Sequence, residues 1–315
     1  MKKNILLVFL LAICYSAMSQ IIIDNRTIKE YEKRITKMDV VQYVNFNDEI
    51  IDPSKFWQSI YDNHEILNKW KEAIRNGKKL AKETISDCET KLTSFQNFVN
   101  TNMTTINDEE LNKIYIELVC GNTFKFPIKF NFIEDHTQNA WVYPDGNIFI
   151  TSGLAEILNG EQLIGIAAHE MAHYIIKHAY INEWEIRKNE LKNIIAAAAL
   201  ISTDAAVSTW AGAQGLEIDV ESKTEYYDEI IKNFAENIYL YQFKNSRQHE
   251  FEADLIAIRF LEYVNIDPKE YIKALQKLGT NLDKFYNEES DHPTTFQRIN
   301  FLNYVLENHS IHKSL

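Results

Sequence analysis

The sequence has few of the residues that break helices or cross-link a chain. It contains 9 glycines and 5 prolines among 315 residues, which predicts few linkers and a mainly helical chain. Of its 3 cysteines, Cys14 lies in the N-terminal apolar run, and the two that remain are too few to build a metal site. The chain also has fewer basic than acidic residues, 33 against 45, which gives a formal net charge of −12. An acidic surface argues against a nucleic-acid partner. The 45% of hydrophobic residues nevertheless indicates a folded globular protein.

Long apolar runs are nearly absent, and the clearest one lies at the N-terminus. A basic MKK precedes ILLVFLLAICYSA, a run too short to span a membrane comfortably, and small residues follow at Ala17 and Ser19. This pattern predicts a signal peptide over residues 1–19 and an exported protein, periplasmic or secreted. An uncleaved N-terminal anchor and a lipoprotein acylated at Cys14 are the alternatives. The lipoprotein is disfavoured because bulky Ile13 precedes that cysteine.

A second apolar stretch covers residues 194–212. Asp204 lies at its centre, and a charged residue inside a membrane is costly, so we favour a buried Ala-rich helix or a lid. Membrane association stays possible but is not required. Export would leave Cys88 and Cys120 in an oxidising compartment, where they either pair or remain free buried thiols.

The chain divides into two regions by pattern. Residues 20–105 read as helices without recognisable chemistry, and their role stays open. Residues 106–315 contain an alternating stretch, KFPIKFNFIED, which indicates a half-buried strand. The stretch NAWVYPDGNIFITSG indicates a hairpin around Pro144 and Gly146. Predicted helix caps are Asn107 or Asp108, Ser152, and Thr294 or Thr295.

The motif HEMAH occupies residues 169–173 of an apolar, helical stretch. Positions four apart lie on one face of a helix, so His169 and His173 can direct two imidazole nitrogens at one point. A catalytic zinc takes three protein ligands and keeps an open position. Glu170, about 100° around the helix from His169, can take a proton from a zinc-bound water there. The spacing therefore suits metal-assisted hydrolysis.

A third ligand has to come from elsewhere in the chain. The metzincin pattern fails, because Ile176 and Ala179 stand where that class has glycine and histidine. We expect His178, nine residues after the first motif histidine, to lie away from the ligand face and to be structural or exposed.

The stretch SRQHEFEADLIAIRFL, residues 246–261, supplies the best candidate. Glu250 would complete the metal site from this second helix. Asp254, one turn on, could accept a hydrogen bond from the distal nitrogen of a ligating histidine. We interpret Glu252, between them, as part of a solvated face.

The chain resembles the zinc metallopeptidase family of HtpX and the CAAX prenyl endopeptidases, a gluzincin family with an HExxH…ExxAD pattern. It is most similar to the soluble, exported bacterial members. The resemblance covers about residues 110–306 and leaves residues 20–105 outside. Four blocks carry it: NAWVYPDGNIFITSGL at 139–154, LIGIAAHEMAHYIIKH at 163–178, SRQHEFEADLIA at 246–257, and DHPTTFQRINFL at 291–302.

The resemblance implies a fold class that is mainly α (α+β), with a zincin-like helical core and a small β-sheet or hairpin beside the active-site helix. It implies one Zn²⁺ per chain and a zinc metallopeptidase domain over residues 106–315. The implied roles, residue by residue, are zinc ligation by His169, His173 and Glu250, general base catalysis by Glu170, and support of a ligand by Asp254.

Two further blocks imply contacts with the substrate. His292 and Arg298 match residues near the family's active site, where the histidine either stabilises the transition state or binds the zinc as an inhibitory ligand. Asn139, Ala140 and Trp141 match a strand beside the cleft that can pair with an extended peptide. This chain departs from the family at one position there, where Val142 replaces a residue that is often small.

We therefore expect a zinc-dependent metalloendopeptidase that hydrolyses protein or peptide substrates in the cell envelope, with Glu170 activating a zinc-bound water. The alternative is a latent or inactive zinc-bound chaperone or peptide-binding module. The oligomeric state and the cleavage preference are left open by the sequence.

Overall fold

The computed structural model describes residues 24–106, 108–192, 246–279 and 293–311. The predictions for the signal peptide, for residues 194–212 and for His292 lie outside these ranges. The chain divides into two compact units, residues 1–39 and 40–315. The described part of the first unit is helix α1, Asn25–Met38, which begins where the Asp24 carboxylate accepts hydrogen bonds from two backbone N–H groups.

Helices fill the first part of the second unit. They are α2, Pro53–Asn63; α3, Glu65–Arg75; α4, Lys79–Asn102; and α5, Glu109–Tyr115. His64 lies between α2 and α3, and its Nδ1 accepts a hydrogen bond from the backbone N–H of Leu67, which caps α3. Asp108 caps α5, as predicted.

A small mixed sheet follows, with strands β1, Thr105–Ile106; β2, Lys129–Ile133; β3, Ala140–Val142; and β4, Asn147–Thr151. Their order is β1-β2-β4-β3, and β2 runs parallel to β4. The predicted hairpin is confirmed, because β3 and β4 pair antiparallel around a turn with Gly146 at φ 93°. A Cβ atom at Gly146 would lie 2.0 Å from the carbonyl oxygen of Pro127, so the turn excludes larger residues.

The α-helices that follow in the described ranges are α6, Ser152–Ile157; α7, Gly160–Ile176; α8, 178–192; α9, 246–263; α10, Lys269–Leu278; and α11, Thr295–His309. Thr294 caps α11, as predicted. The prediction for α6 was wrong by one residue, because the Thr151 hydroxyl is its cap. The Ser152 hydroxyl bonds instead to the backbone of Asp135.

Helix α7 is the centre of the packing and carries HEMAH. It lies against α2, α10 and β3, and most of its side chains are buried. Fully buried aromatic rings join α2 to α9, with the Trp57 and Phe260 ring centroids 5.0 Å apart. Helix α2 thus packs directly on α9, a helix of the site. The predicted fold class, mainly α with a small sheet beside this helix, is confirmed.

The two remaining cysteines do not pair. Cys88 and Cys120 are both free and buried, and burial raises their pKa values to about 11 and about 12. Both thiols are therefore protonated at neutral pH. In the parts of the chain that the structure describes, no helix combines the length and the apolar character needed to cross a membrane.

Candidate metal centre

Three side chains from two helices meet at one point. The Nε2 atoms of His169 and His173, one turn apart on α7, are 3.2 Å from each other. The Glu250 carboxylate enters from α9, 3.5 Å from the Nε2 of His169 and 3.3 Å from the Nε2 of His173. The structure thus brings together the three residues that the sequence predicts as metal ligands.

The donor atoms fit a tetrahedral cation site. Zinc–ligand distances of about 2.0–2.1 Å in a tetrahedron place neighbouring donor atoms about 3.3–3.4 Å apart. The separation of 3.2 Å between the two imidazole nitrogens is close to this value, and the two oxygens of the Glu250 carboxylate lie 3.5 Å from His169 and 3.3 Å from His173. Two imidazoles and one carboxylate are also the donor set of a catalytic zinc. The residues therefore fit the metal that the sequence implies.

The distal nitrogen of His169 is held by a buried polar cluster. Its Nδ1 lies 3.1 Å from the Asp254 carboxylate and 2.9 Å from the Tyr271 hydroxyl. Arg298 in turn donates two hydrogen bonds to Asp254, of 2.8 and 2.5 Å. A carboxylate only accepts, so Nδ1 of His169 carries a proton, and in the neutral form of the ring that binds a metal the lone pair is on Nε2. That lone pair faces His173 and Glu250.

Charges around His169 favour a cation at this point. Burial, the largest effect, lowers the pKa of His169, but the hydrogen bonds to Asp254 and Glu250 outweigh it and raise the pKa to about 9. His169 therefore binds a proton readily, and a divalent cation between the donor atoms would replace that proton. Although burial alone would raise the pKa of Asp254, the Arg298 charge and the hydrogen bonds hold it at about 2.

Two predictions about neighbouring residues were wrong, namely that His178 lies away from the ligand residues and that Glu252 is solvated, whereas the structural role given as one alternative for His178 agrees with its burial. His178 is buried, and its Nδ1 lies 2.9 Å from the Nδ1 of His173. Helix α7 ends at Ile176, and Lys177 adopts a left-handed conformation with φ 63°, so the chain turns back toward the ligand face. Glu252 does not lie on a solvated face, because it is buried between His178 and His64.

Tyr271 is a residue of the site that the sequence did not single out. Its buried hydroxyl donates to the Asp254 carboxylate at 2.7 Å and contacts His169. The apolar spacing of α10 could have indicated that this tyrosine is buried, and a buried hydroxyl needs a partner. Gly165 of α7 lets it approach, since a Cβ atom there would lie 3.0 Å from the Cβ of Tyr271.

Gly165→Ala is expected to weaken zinc binding about tenfold, within the range for residues that orient metal ligands. The added methyl group would push α10 away by a few tenths of an ångström and lengthen the contacts of Tyr271. The helix itself would gain stability from alanine, so a weaker helix does not explain the loss. Chelator competition measures the affinity. Gly160→Ala is the control, because a Cβ atom there meets nothing within 4 Å; equal affinity in both variants would refute this expectation.

A cleft of about 830 Å³ opens over the metal centre. Glu170 is half-buried and lines it together with His169 and His173. Ala140 and Asn139 line its β3 side, and β3 is the last strand of the described sheet on that side. The cleft thus places a strand edge beside the candidate ligands.

The two other predicted contact residues are placed differently. Trp141 also borders the cleft, but its ring stacks on Phe149 with centroids 5.2 Å apart, over a small apolar cluster of the sheet. Arg298 borders the cleft as well, with its guanidinium bound to Asp254 and 3.6 Å from Glu250. Its predicted contribution to the reaction stays a prediction, and His292 lies outside the described residues.

A mainly α core that directs two histidines of one helix and a glutamate of another to one point defines a site of the gluzincin type. The chain belongs to peptidase family M48, whose family model matches residues 105–306. This confirms the resemblance found in the four sequence blocks.

Individual relatives agree with that family. Protease HtpX of Legionella pneumophila subsp. pneumophila (strain Philadelphia 1) is 28% identical over 198 residues, which are 60% of this chain and 65% of that protein. The mitochondrial metalloendopeptidase OMA1 of Schizosaccharomyces pombe is 26% identical over 54% of this chain and 44% of its own. The chain thus matches less than two thirds of the length of these relatives.

A solved structure is also similar. The crystal structure of S. mikatae Ste24p aligns with a TM-score of 0.42 and 17% identity, over 78% of this chain and 63% of that one.

Proposed function

We propose that the protein is a zinc metalloendopeptidase that hydrolyses peptide bonds of protein substrates. The observation that carries the proposal is the convergence of His169, His173 and Glu250 under an open cleft, with Glu170 beside them. Family membership supports peptide-bond hydrolysis over other metal chemistry.

The three ligands would leave one coordination position open, as in catalytic rather than structural zinc sites. Zinc bound by these residues would supply Lewis acidity for the substrate carbonyl and for the attacking water. Glu170 takes the proton from the attacking water and delivers it to the amine that leaves. Asp254 and Tyr271 keep the ring of His169 oriented, and Arg298 keeps Asp254 ionised.

The strand edge supports an extended substrate. A peptide that adds to β3 through main-chain hydrogen bonds would lie along the cleft. The small side chain of Ala140 permits close approach of the substrate backbone. The N-terminal basic and apolar segment supports export, so the proposed substrates are proteins of the cell envelope.

The full-length chain should contain about one zinc per molecule and should cleave casein. We expect 1,10-phenanthroline to abolish the cleavage and added zinc to restore it, since the three ligands bind the metal reversibly. Metal analysis and the appearance of casein fragments measure the two properties. Cleavage that survives complete removal of metal would contradict the proposal.

The alternative, a latent or peptide-binding protein, gives a different result in the same assay. It would retain zinc and bind unfolded casein without cleaving it. If His292→Ala then produced cleavage, the protein would be a protease that His292 inhibits.

A further inference from the structure

A continuous chain of buried polar groups connects His173 to the N-terminal helices. The Nδ1 of His173 lies 2.9 Å from the Nδ1 of His178, and the Nε2 of His178 lies 3.0 Å from one oxygen of Glu252. The other oxygen of Glu252 lies 3.1 Å from the Nε2 of His64. His64 and Glu252 are 188 residues apart in sequence, so the packing of α2 and α3 on α9 is needed to bring them together.

The direction of each hydrogen bond follows from the His64 end. The Nδ1 of His64 accepts from the backbone N–H of Leu67, so its proton is on Nε2 and is donated to Glu252. The Glu252 carboxylate can only accept, so the Nε2 of His178 also donates to it. A neutral His178 then has a lone pair on Nδ1, and it accepts from the Nδ1–H of His173. The Nε2 of His173 is left with its lone pair.

The metal end requires the same arrangement. An imidazole that binds a cation through Nε2 must carry its proton on Nδ1, and that proton needs an acceptor. His178 is the residue that supplies one. The His64 end and the metal end of this hydrogen-bonded network thus predict the same tautomer for His173, with the lone pair directed at His169 and Glu250.

We propose that His64, Glu252 and His178 are positioning residues that fix the tautomer and the ring orientation of His173 for zinc, an inference that rests on the proposed zinc-dependent function. The N-terminal helical region therefore completes the metal centre. His64 precedes residues 105–306, the part that the family model matches, so this chain supplies the end of the network from outside the family's common region.

Burial and stacking support a fixed arrangement. The side chains of His64, Glu252 and His178 are 6%, 6% and 4% exposed, so water does not compete for their hydrogen bonds. The His249 ring lies parallel to that of His178, with centroids 4.3 Å apart and an angle of 10° between the planes. Buried hydrogen bonds that are all satisfied hold their groups in one geometry.

The test measures the zinc affinity of the wild-type protein, four variants of the network and one control variant by competition with a fluorescent chelator, together with kcat and KM for a peptide. His178→Phe removes the acceptor, and we expect about 10–100-fold weaker zinc binding. His178→Gln can accept from His173 and donate to Glu252, so it should restore most of the affinity. His64→Leu removes the terminal donor and should weaken binding about tenfold, while His64→Gln should restore it. At saturating zinc, His178→Phe and His64→Leu should lower kcat and leave KM unchanged.

Asp108→Ala is the matched control for His64→Leu. Both variants remove the side-chain cap of a helix, but Asp108 caps α5 and is not part of the network. A similar fall in melting temperature in both, with weaker zinc binding only in His64→Leu, supports the positioning role. Equal zinc affinity in wild type, His178→Phe and His64→Leu would overturn it. Wild-type protein that binds no zinc at all would instead refute the proposed function.

Discussion

Glu170→Gln is expected to reduce kcat for casein cleavage by about 10²–10⁴-fold, the usual contribution of a general base. The amide has the same shape as the carboxylate but cannot take a proton from water. Glu170 is not among the three residues that meet at the metal point, so zinc content should stay at its wild-type value, and the melting temperature should change little because the amide keeps the shape of the carboxylate. Steady-state kinetics, metal analysis and thermal unfolding check these three quantities.

Glu161→Gln provides the matched control for this variant. Glu161 lies exposed in the first turn of the same helix, so the substitution makes the same change of charge away from the cleft. Its kcat should equal that of wild type. If the kcat of Glu170→Gln equalled that of wild type, Glu170 would not be the general base, and the proposed mechanism would be wrong.

The part of the site that lies within one helix could be predicted from the sequence. His169 and His173 share a face because four residues are close to one helical turn, and no tertiary information is needed to place them. The hairpin and the caps Asp108 and Thr294 are local in the same sense. Glu250 could be predicted because the third ligand of such a site is often a carboxylate from a second helix. The resemblance identified the block that contains it.

The residues that support the ligands could not be predicted in this way. The position of His178 was extrapolated at 100° per residue, but the helix ends before it and the chain reverses at Lys177. Glu252 was interpreted as solvated because its burial depends on His64, which belongs to distant helices. Tyr271 reaches His169 across 102 residues of sequence, and helical periodicity carries no information about such contacts.

The polar cluster around Asp254 could be predicted from the sequence only in part. The resemblance identified Asp254 and Arg298, whereas the structure adds Tyr271 and shows that the carboxylate is completely buried. A buried carboxylate is tolerated only when its lone pairs are occupied, and here they are shared among three donors from different helices. The cluster therefore holds α9, α10 and α11 together behind the metal point.

Asp254→Ala is expected to lower the free energy of unfolding by about 3–5 kcal/mol, because it leaves the guanidinium of Arg298, whose side chain is only 15% exposed, without its main partner. Asp254 also accepts from Tyr271 and contacts His169, so both lose their anchor. Glu250 remains 3.6 Å from Arg298, which favours the lower end of this range. Urea unfolding at constant pH measures the change.

The pH dependence of that change gives a second measurement. The pKa of Asp254 in the folded protein is about 2, below its ordinary value of 3.8. The ionised carboxylate thus contributes stability that is fully present above about pH 4 and lost as pH falls toward 2. The difference in stability between wild type and Asp254→Ala should therefore shrink in acid. In the metal-free protein it should also decline between about pH 6.5 and 9, because His169, whose pKa Asp254 helps to raise to about 9, is titrated there.

A double variant separates the unpaired charge from the lost packing. Asp254→Leu combined with Arg298→Met replaces both members of the ion pair by apolar side chains, and such replacements are often neutral or stabilising. We expect this protein to unfold at higher urea concentration than Asp254→Ala alone, although it should bind zinc more weakly than wild type because His169 has lost its acceptor. If Asp254→Ala lost less than about 1 kcal/mol, the range of a typical surface contact, the cluster would not be what holds these three helices together.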